Sequence, residues 1–279
     1  MQEMSYSPLV SIFIPAYNAA AYLEETIRGV VGQTFQNWEL LVVNNASTDS
    51  TGDILRRLTA ELSDPRIRIL TNPCTLSMAE NWNIGLQQAR GEFIKLICAD
   101  DIPAKDCLER QVRSLRVHPG AILASGARMI INSQGKKLFI RDGIRKEGIH
   151  NGSTMIRRCI LAGTNIIGDP VCVMWRRSAT DQLGLFNPSV GYCTDMEYWL
   201  RLLSIGDLYY DTVPVGFYRI HKNAAAVRLA NAVASDVVHA AKLQAQRGSI
   251  TLSKMDFFLV STEATLLSFL RQLCYKFLG

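Results

Sequence analysis

Two adjacent carboxylates, Asp100 and Asp101, are the residues of this chain best suited to do chemistry. They follow a nearly continuous apolar run at 93–98, which is typical of a buried strand in an α/β sheet. Acidic side chains just past the carboxyl end of such a strand lie where these sheets bind ligands. Adjacent carboxylates repel each other unless donors or a cation such as Mg²⁺ offset the charge. A metal site is therefore one interpretation, and a cap for a helix beginning at Pro103 is the other.

Polar residues also follow two earlier predicted strands. Residues 15–18 (Pro-Ala-Tyr-Asn) come after the first strand and Asn45 comes after the second. Because the carboxyl ends of parallel strands share one edge of a sheet, these residues and the Asp pair would form a nucleotide crevice. Tyr17 could stack on a base, and the Asn45 amide could read a base edge. Taken singly, Tyr17 could equally pack in the core and Asn45 could form a turn.

The elements that must position these side chains alternate between strand and helix. Apolar β-branched runs predict strands, and apolar residues at helical spacing predict the helices between them. This alternation predicts a mostly parallel sheet with helices on both faces and right-handed crossovers. Ser77 and Glu80 match a capping box, and Ser47 or Thr48 is expected to cap the preceding helix. The predicted strands are 9–14, 38–43, 66–70 and 93–98, and the predicted helices are 20–33, a segment up to 62, 77–91 and 105–117.

The second half of the chain is less regular. Residues 132–168 are rich in Gly, Asn and charge, which is typical of a binding loop or lid. Thr194 to Glu197 match a second capping box. We place a catalytic domain at 1–225 and a helical extension at 226–279. The remaining predicted elements are strands at 121–124, 127–131, 171–175 and 209–213, an extended segment at 217–221 and helices at 153–161, after 194 and after 224.

Composition narrows the class of protein. The net charge of +5 is mild and no basic tract occurs, which argues against nucleic-acid binding. Seven cysteines without a CxxC pair favour reduced thiols in the cytoplasm over disulfides or a zinc site. No signal sequence and no apolar run of about 20 residues is apparent, so we expect a soluble protein. The C-terminal helix could contact a membrane surface, but packing on the catalytic domain or on a dimer partner is the preferred interpretation. The residues concerned are Phe257, Phe258, Leu266, Leu270, Arg271, Leu273, Lys276 and Phe277.

Six motifs occur in one order along the chain. They are VSIFIPAYN (10–18), QTF (33–35), WELLVVNNASTD (38–49), ARGEFI (89–94) followed by ADD (99–101), TDMEYWLR (194–201) and YRIH (218–221). Together they resemble the family 2 glycosyltransferases over roughly residues 8–225. The resemblance implies the GT-A (Rossmann-like) fold. It also implies inverting transfer of a sugar from a nucleotide-diphosphate sugar with Mn²⁺ or Mg²⁺.

The resemblance also implies residue roles. Asp100 falls at the ribose, Asp101 at the metal and Asp195 at the general base that deprotonates the acceptor hydroxyl. His221 and Arg219 fall on the segment that closes over metal and diphosphate, with His221 a metal ligand. The residues predicted to contact the nucleotide are Pro15, Tyr17, Asn18, Asn45, Asn83 and Asp100. Trp82 and Asp169 are predicted to lie near the diphosphate or the acceptor.

Three departures from the family pattern concern the donor site. Asn45 stands where Asp is common, Trp82 where Arg is common, and Cys98 where the central motif often has another Asp. An Asn amide can still accept the N3 proton of uracil or thymine and donate to O4. We therefore expect a UDP- or dTDP-sugar donor. Cys98 is not counted as a metal ligand.

Asp195 and His221 have simpler structural interpretations, and two other functions compete with that of a glycosyltransferase. An Asp in the first turn of a helix, like Asp195, is common for reasons of the helix dipole alone, and His221 could be an ordinary packed histidine. The sequence predicts a glycosyltransferase acting on a glycan or lipid-linked acceptor in bacterial surface polysaccharide synthesis. One rival is an inactive nucleotide-sugar-binding protein. The other, a dinucleotide-dependent oxidoreductase, is disfavoured because no Gly-rich turn follows the first strand.

Overall fold

The computed structural model describes residues 7–278, except for the side chains at 226, 228, 230, 231, 271 and 274–278. Strands and helices alternate through its first half. The strands are β1 (Val10–Ala16), β2 (Trp38–Asn44), β3 (Ile67–Thr71), β4 (Phe93–Leu96), β5 (Ile102–Pro103), β6 (Ala121–Ile131), β7 (Lys137–Arg141), β8 (Gly148–His150), β9 (Met174–Arg176) and β10 (Asp207–Arg219). The helices are α1 (Leu23–Val31), α2 (Thr51–Leu62), α3 (Met78–Gln88), α4 (Cys107–Val117), α5 (Gly152–Leu161), α6 (Arg177–Leu183), α7 (Thr194–Leu203), α8 (Ala225–Arg228), α9 (Ala230–Gln246) and α10 (Lys254–Leu278).

All these strands join one sheet flanked by the helices. Its order is β3-β2-β1-β4-β9-β6-β10-β5, with β7 beside β6 and β8 beside β10. The strands β3, β2, β1 and β4 are parallel, as the alternating pattern predicts. The short strand β9 then runs antiparallel to both β4 and β6, whereas β6 and β10 are parallel again. The parallel half brings the carboxyl ends of β1, β2 and β4 to one edge.

In the first half of the chain, the sequence pattern predicts the strands and helices correctly, but two of the predicted helix N-caps are wrong. Ser77 and Glu80 do form a capping box. The Ser47 or Thr48 cap is wrong, because α2 begins at Thr51 with Ser50 at its N-cap. The alternative in which the Asp pair caps a helix at Pro103 is also wrong, since Ile102–Pro103 pairs with β10 and α4 begins later.

The second capping box, at Thr194 to Glu197, is also wrong. The N-cap of α7 is Cys193 and not Thr194, and Thr194 Oγ1 donates to the Gly191 carbonyl at 2.8 Å. The buried Glu197 carboxylate instead pairs with Arg201 and Arg247. Neither Thr194 nor Glu197 therefore caps α7.

The second half has longer strands than predicted. The two strands expected at 121–124 and 127–131 are one strand, β6, and the segments at 209–213 and 217–221 belong to β10, which ends at Arg219. The loop at 132–168 contains β7, β8 and the predicted helix α5. The strand expected at 171–175 is a 3₁₀ turn, Pro170–Cys172, followed by β9.

The C-terminal helices pack on the sheet domain. Val233 and Val237 of α9, and Val260 and Ala264 of α10, are buried in the same hydrophobic core as the strands. None of the helices that the structure describes combines the length and apolar character that a membrane span requires. Of the residues named for membrane contact, the Arg271, Lys276 and Phe277 side chains lie outside the described ones.

Candidate active site

The carboxyl ends of β1, β2 and β4 open into a cavity of about 850 Å³. Most of the residues predicted for the site line this one cavity, although they are spread over more than 200 positions of the chain. They are Pro15, Tyr17, Asn18, Asn45, Trp82, Asp100, Asp101, Asp169, Asp195 and His221. Arg219 and Asn83, in contrast, are not part of the lining.

Asp101 is the most buried carboxylate of this group, at 1% exposure. Its Oδ1 accepts the backbone N–H of Arg219 at 2.9 Å, whereas its buried Oδ2 has no hydrogen-bond partner. Burial, and then the charge of Asp100, raise the pKa of Asp101 well above its ordinary value. An unsatisfied buried oxygen is costly, and a hard divalent cation is a ligand that would satisfy it.

The surroundings of Asp101 fit a divalent cation. One ligand atom each from Cys98, Asp100 and Asp101 lie within 4.8 Å of one another. Burial, followed by the charges of Asp101 and Asp100, raises the pKa of the Cys98 thiol well above its ordinary value. The thiol is therefore neutral near pH 7 and is not a source of negative charge.

His221 lies directly against the Asp pair. Its Nε2 is 2.9 Å from Oδ2 of Asp100, and its ring packs on Tyr22 with centroids 4.8 Å apart. The segment after β10 thus brings the histidine to the carboxylates, and its role as a metal ligand stays a prediction.

Arg219 lies behind the Asp pair. Its guanidinium donates from Nε to the Asp100 carbonyl at 2.9 Å, pairs with Glu25 at 2.5 Å and lies 4.5 Å from the centroid of the Tyr22 ring. Two loop carbonyls, of Asn132 and Ser133, accept its remaining bonds. The predicted contact of Arg219 with a diphosphate does not match this geometry. The arginine instead holds the turn that carries the two carboxylates.

Asp195 lies in the first turn of α7 and faces the same cavity as the Asp pair. Its Oδ2 accepts a hydrogen bond from Asn165 Nδ2 at 2.9 Å. Asn165 lies in the loop expected to be a lid, and nothing in its sequence surroundings marks it as a site residue. The hydrogen bond from Asn165 fixes the orientation of this carboxylate at the start of α7.

Asn45 borders the cavity, but its amide is occupied by protein groups. Its Oδ1 accepts from Leu76 N and from Asn72 Nδ2, both at 2.9 Å. Its Nδ2 donates to the Leu76 carbonyl, also at 2.9 Å. Both acceptor positions of Oδ1 are taken, so accepting a proton from a base edge requires Leu76 or Asn72 to move, whereas the second N–H of Nδ2 is not used by these bonds. Base recognition by Asn45 stays a prediction.

Three further predicted residues differ in how they meet the cavity. Trp82 lines it and packs edge-on against Phe186. Asp169 also lines it, and its Oδ2 is 2.5 Å from Nε of the buried Arg128. Asn83 exchanges hydrogen bonds with the backbone of Phe186 at 2.8 and 3.0 Å. The structure therefore places Asn83 away from the expected nucleotide contacts.

Solved structures share this architecture. TarS of S. aureus, residues 1–349 in complex with UDP-GlcNAc, superposes with a TM-score of 0.66 over 96% of this chain and 73% of that one, at 15% identity. The mannosyltransferase PcManGT from Pyrobaculum calidifontis, in complex with GDP-Man and Mn²⁺, gives 0.65 over 98% and 74%, at 19% identity. The chain therefore belongs to the class of proteins with the GT-A fold.

Sequence comparison places the chain within that class. The sequence pattern of the family described as Glycosyl transferase family 2 matches residues 11–184, so the chain belongs to that family. A Bacillus subtilis (strain 168) relative, provisionally named teichuronic acid biosynthesis glycosyltransferase TuaG, is 31% identical over 72% of this chain and 75% of its own length. An uncharacterized glycosyltransferase of Haemophilus influenzae is 28% identical over 79% of this chain and 68% of its own length.

Proposed function

We propose that this glycosyltransferase transfers one sugar, with inversion, from a UDP- or dTDP-sugar to a glycan or lipid-linked acceptor. The proposal includes dependence on Mn²⁺ or Mg²⁺. The observation that carries it is the shared cavity, in which Asp100 and Asp101 lie at one set of strand ends and Asp195 lies at the start of α7. A donor held by the Asp pair would thus present its sugar to an acceptor beside Asp195.

Asp101 and Asp100 are the residues that would hold the cation, with His221 adjacent to them. A bound divalent cation would offset the negative charge that develops on the leaving diphosphate. The chain's own contribution is to keep the two carboxylates fixed. Arg219 does this through its backbone N–H to Asp101 and its Nε to the Asp100 carbonyl.

Asp195 would accept the proton of the acceptor hydroxyl as that oxygen attacks the anomeric carbon. Direct attack on the face opposite the diphosphate gives inversion in one displacement. The hydrogen bond from Asn165 fixes the orientation of the carboxylate.

The names of related proteins support the donor class and the setting. TarS binds UDP and UDP-GlcNAc, PcManGT binds GDP-Man with Mn²⁺, and TuaG is named for teichuronic acid synthesis. We propose a role in bacterial surface polysaccharide synthesis on this basis. Free thiols at all six cysteines whose side chains are described support a cytoplasmic location. The proposal includes peripheral contact of the protein with the cytoplasmic face of the membrane.

A panel of nucleotide sugars tests the proposal. With Mn²⁺ present, we expect UDP- or dTDP-sugars to raise the melting temperature and to be hydrolysed slowly in the absence of acceptor. A GDP-sugar preferred over both would overturn the donor assignment. Binding of UDP without any hydrolysis or transfer across donors and acceptors would instead indicate the rival function, an inactive nucleotide-sugar-binding protein.

A further inference from the structure

The cavity has a second end that is apolar. Its wall there comes from the C-terminal helices, whose contributing side chains are Leu229, Val233, Val237, Leu267 and Leu270. None of these side chains can form a hydrogen bond. Hydroxyl or phosphate groups buried against such a wall would lose their hydration without compensation.

This apolar wall lies next to the start of α7. The helix α9, which carries Val233 and Val237, is tied to the residues just before Asp195. Asp236 of α9 accepts the Tyr192 backbone N–H at 2.7 Å, and Cys193 Sγ lies 3.8 Å from the Val233 carbonyl. An acceptor hydroxyl at Asp195 therefore has the apolar wall as a direct neighbour.

The ribose, diphosphate and sugar of the donor are polar, and the polar lining around Asp100 and Asp101 matches them. Its base is the one flat aromatic part and would lie beside Tyr17 and Asn45, at the ends of β1 and β2. The group that extends from the acceptor hydroxyl is left to meet the wall of Leu and Val side chains. Burying an apolar chain there is favourable.

The wall also continues out of the cavity. Leu229 and Leu270 line the cavity and are exposed at 41% and 45%. On α10, the exposed Leu266 and Leu273 lie four residues before and three residues after Leu270, so they share its helix face. An apolar surface that runs from inside the cavity to the outside suits a chain too long to be enclosed.

We propose that the acceptor carries a hydrocarbon chain, which lies on this wall while its hydroxyl-bearing head lies at Asp195. The inference rests on the proposed function and narrows its acceptor to the lipid-linked class. A free glycan is the competing occupant, because the aromatic residues Phe139 and Tyr218 also line the cavity and could stack on sugar rings.

Alkyl β-D-glucosides with chains of 4, 8 and 12 carbons, used below their micelle concentrations, are suitable probes. Their dissociation constants are measured by calorimetry with UDP and Mn²⁺ present. A fully buried methylene strengthens binding by about fourfold, so the octyl compound should bind at least about tenfold more tightly than the butyl compound. The double variant Leu229→Gln/Leu270→Gln should lose most of this dependence on chain length.

Leu259→Gln is the matched control. Leu259 is also a leucine of α10 at 45% exposure, but it does not line the cavity, so its variant should keep the chain-length dependence. Equal affinities for the three glucosides, equal loss in the control, or tighter binding of cellotetraose than of the dodecyl compound would each overturn the inference. Failure of the wild type to bind UDP would overturn the proposed function. If every variant binds UDP normally, a missing dependence on chain length contradicts only the inference about the acceptor.

Discussion

Asn165 donates a hydrogen bond from Nδ2 to Oδ2 of Asp195 at 2.9 Å. The same amide is fixed by its own loop, because Nδ2 also donates to the Gly168 carbonyl and Oδ1 accepts the N–H groups of Ile167 and Gly168. Trp199 donates to the Gly168 carbonyl at 3.1 Å. The orientation of the proposed base is therefore set by a loop that is distant in sequence, and Asn165 is a positioning residue.

Replacing Asn165 by Ala should slow transfer without weakening donor binding. A hydrogen bond to a charged group contributes about 1.5–3 kcal/mol, so the rate should fall roughly 10- to 100-fold. The loss should fall on kcat and not on the KM for the donor, because Asn165 contacts the proposed base and not the Asp pair. Asn165→Asp keeps an acceptor for the loop N–H groups but replaces the donor by a second carboxylate beside Asp195, so its loss should be at least as large. A wild-type kcat in both variants would contradict the positioning role.

Asp195→Asn separates the general base from a residue that merely begins a helix. Asparagine at this first-turn position loses only the interaction of the charge with the helix dipole, about 0.3–1 kcal/mol, so the melting temperature should fall little and the UDP affinity should hardly change. An amide cannot take the acceptor's proton, so transfer should fall by roughly 10²–10⁴-fold. Thr194→Ala is the structural control, since it removes the bond to the Gly191 carbonyl and should cost about 1 kcal/mol of stability. Transfer at the wild-type rate by Asp195→Asn would exclude Asp195 as the base.

Asp101→Asn should stabilise the metal-free protein at alkaline pH. Burial and Asp100 raise the pKa of Asp101 in the folded state, so between the unfolded and folded pKa values the folded state binds more protons. The free energy of unfolding therefore falls as pH rises through that window. An uncharged Asn avoids the loss, so the variant's advantage in melting temperature, measured in EDTA, should grow from pH 4 to pH 8.

The same variant should lose metal-linked nucleotide binding. In the wild type, UDP should raise the melting temperature more with Mn²⁺ than without it, and this difference should disappear in Asp101→Asn. Asp181→Asn, at an exposed position of α6, serves as the control and should match the wild type in both experiments. A variant that keeps the Mn²⁺ effect would remove Asp101 from the proposed metal site.

Local patterns predict the strand ends but not the contacts between distant segments. The runs that form β1, β2 and β4 end on polar residues, so Asn45 and the Asp pair are correctly placed at one edge of the sheet. The full length of β10 is missed, since Pro214 normally interrupts a strand. Here an irregular register between Asp211 and Gly216 accommodates it.

The capping motif at α7 shows the same limit. Thr194 and Glu197 have the right spacing, but burial of Glu197 against Arg201 and Arg247 takes that carboxylate away from the helix start. The link between Asn165 and Asp195 is missed for a related reason. This hydrogen bond joins a loop without periodic pattern to a helix 30 residues away. The sequence of either segment alone does not show that the two segments are in contact.

Removing the Asp169 carboxylate should destabilise the fold strongly. Arg128, with a side chain 1% exposed, has Asp169 Oδ2 at 2.5 Å from its Nε. Removing one partner of a buried ion pair typically costs about 3–5 kcal/mol, because the other charge stays buried. Asp169→Ala should lose about that much in urea unfolding, and Arg128→Met/Asp169→Ala should recover much of it. A loss below about 1 kcal/mol, as for exposed pairs, would contradict this account.

The last prediction concerns Asn45 and the segment that its amide holds. Asn45 is buried and bonds both the N–H and the carbonyl of Leu76. Asn45→Asp keeps the acceptor but loses the donor, which leaves the Leu76 carbonyl unsatisfied beside a carboxylate. The expected loss is about 1–3 kcal/mol in the free energy of unfolding without nucleotide, measured in urea.

The affinity for UDP then separates the two roles of Asn45. If Leu76 moves aside and Asn45 reads the base, a carboxylate can still accept the N3 proton, so Asn45→Asp should bind UDP as the wild type does. In that case Asn45→Leu should bind UDP about 1–3 kcal/mol more weakly. If the amide only holds Leu76, as its present bonds favour, both variants should be destabilised without UDP and both should bind it more weakly, because the wall formed by Leu76 is displaced. An Asn45→Asp protein as stable as the wild type would contradict the holding role and leave base recognition as the reason for a polar residue at this strand end.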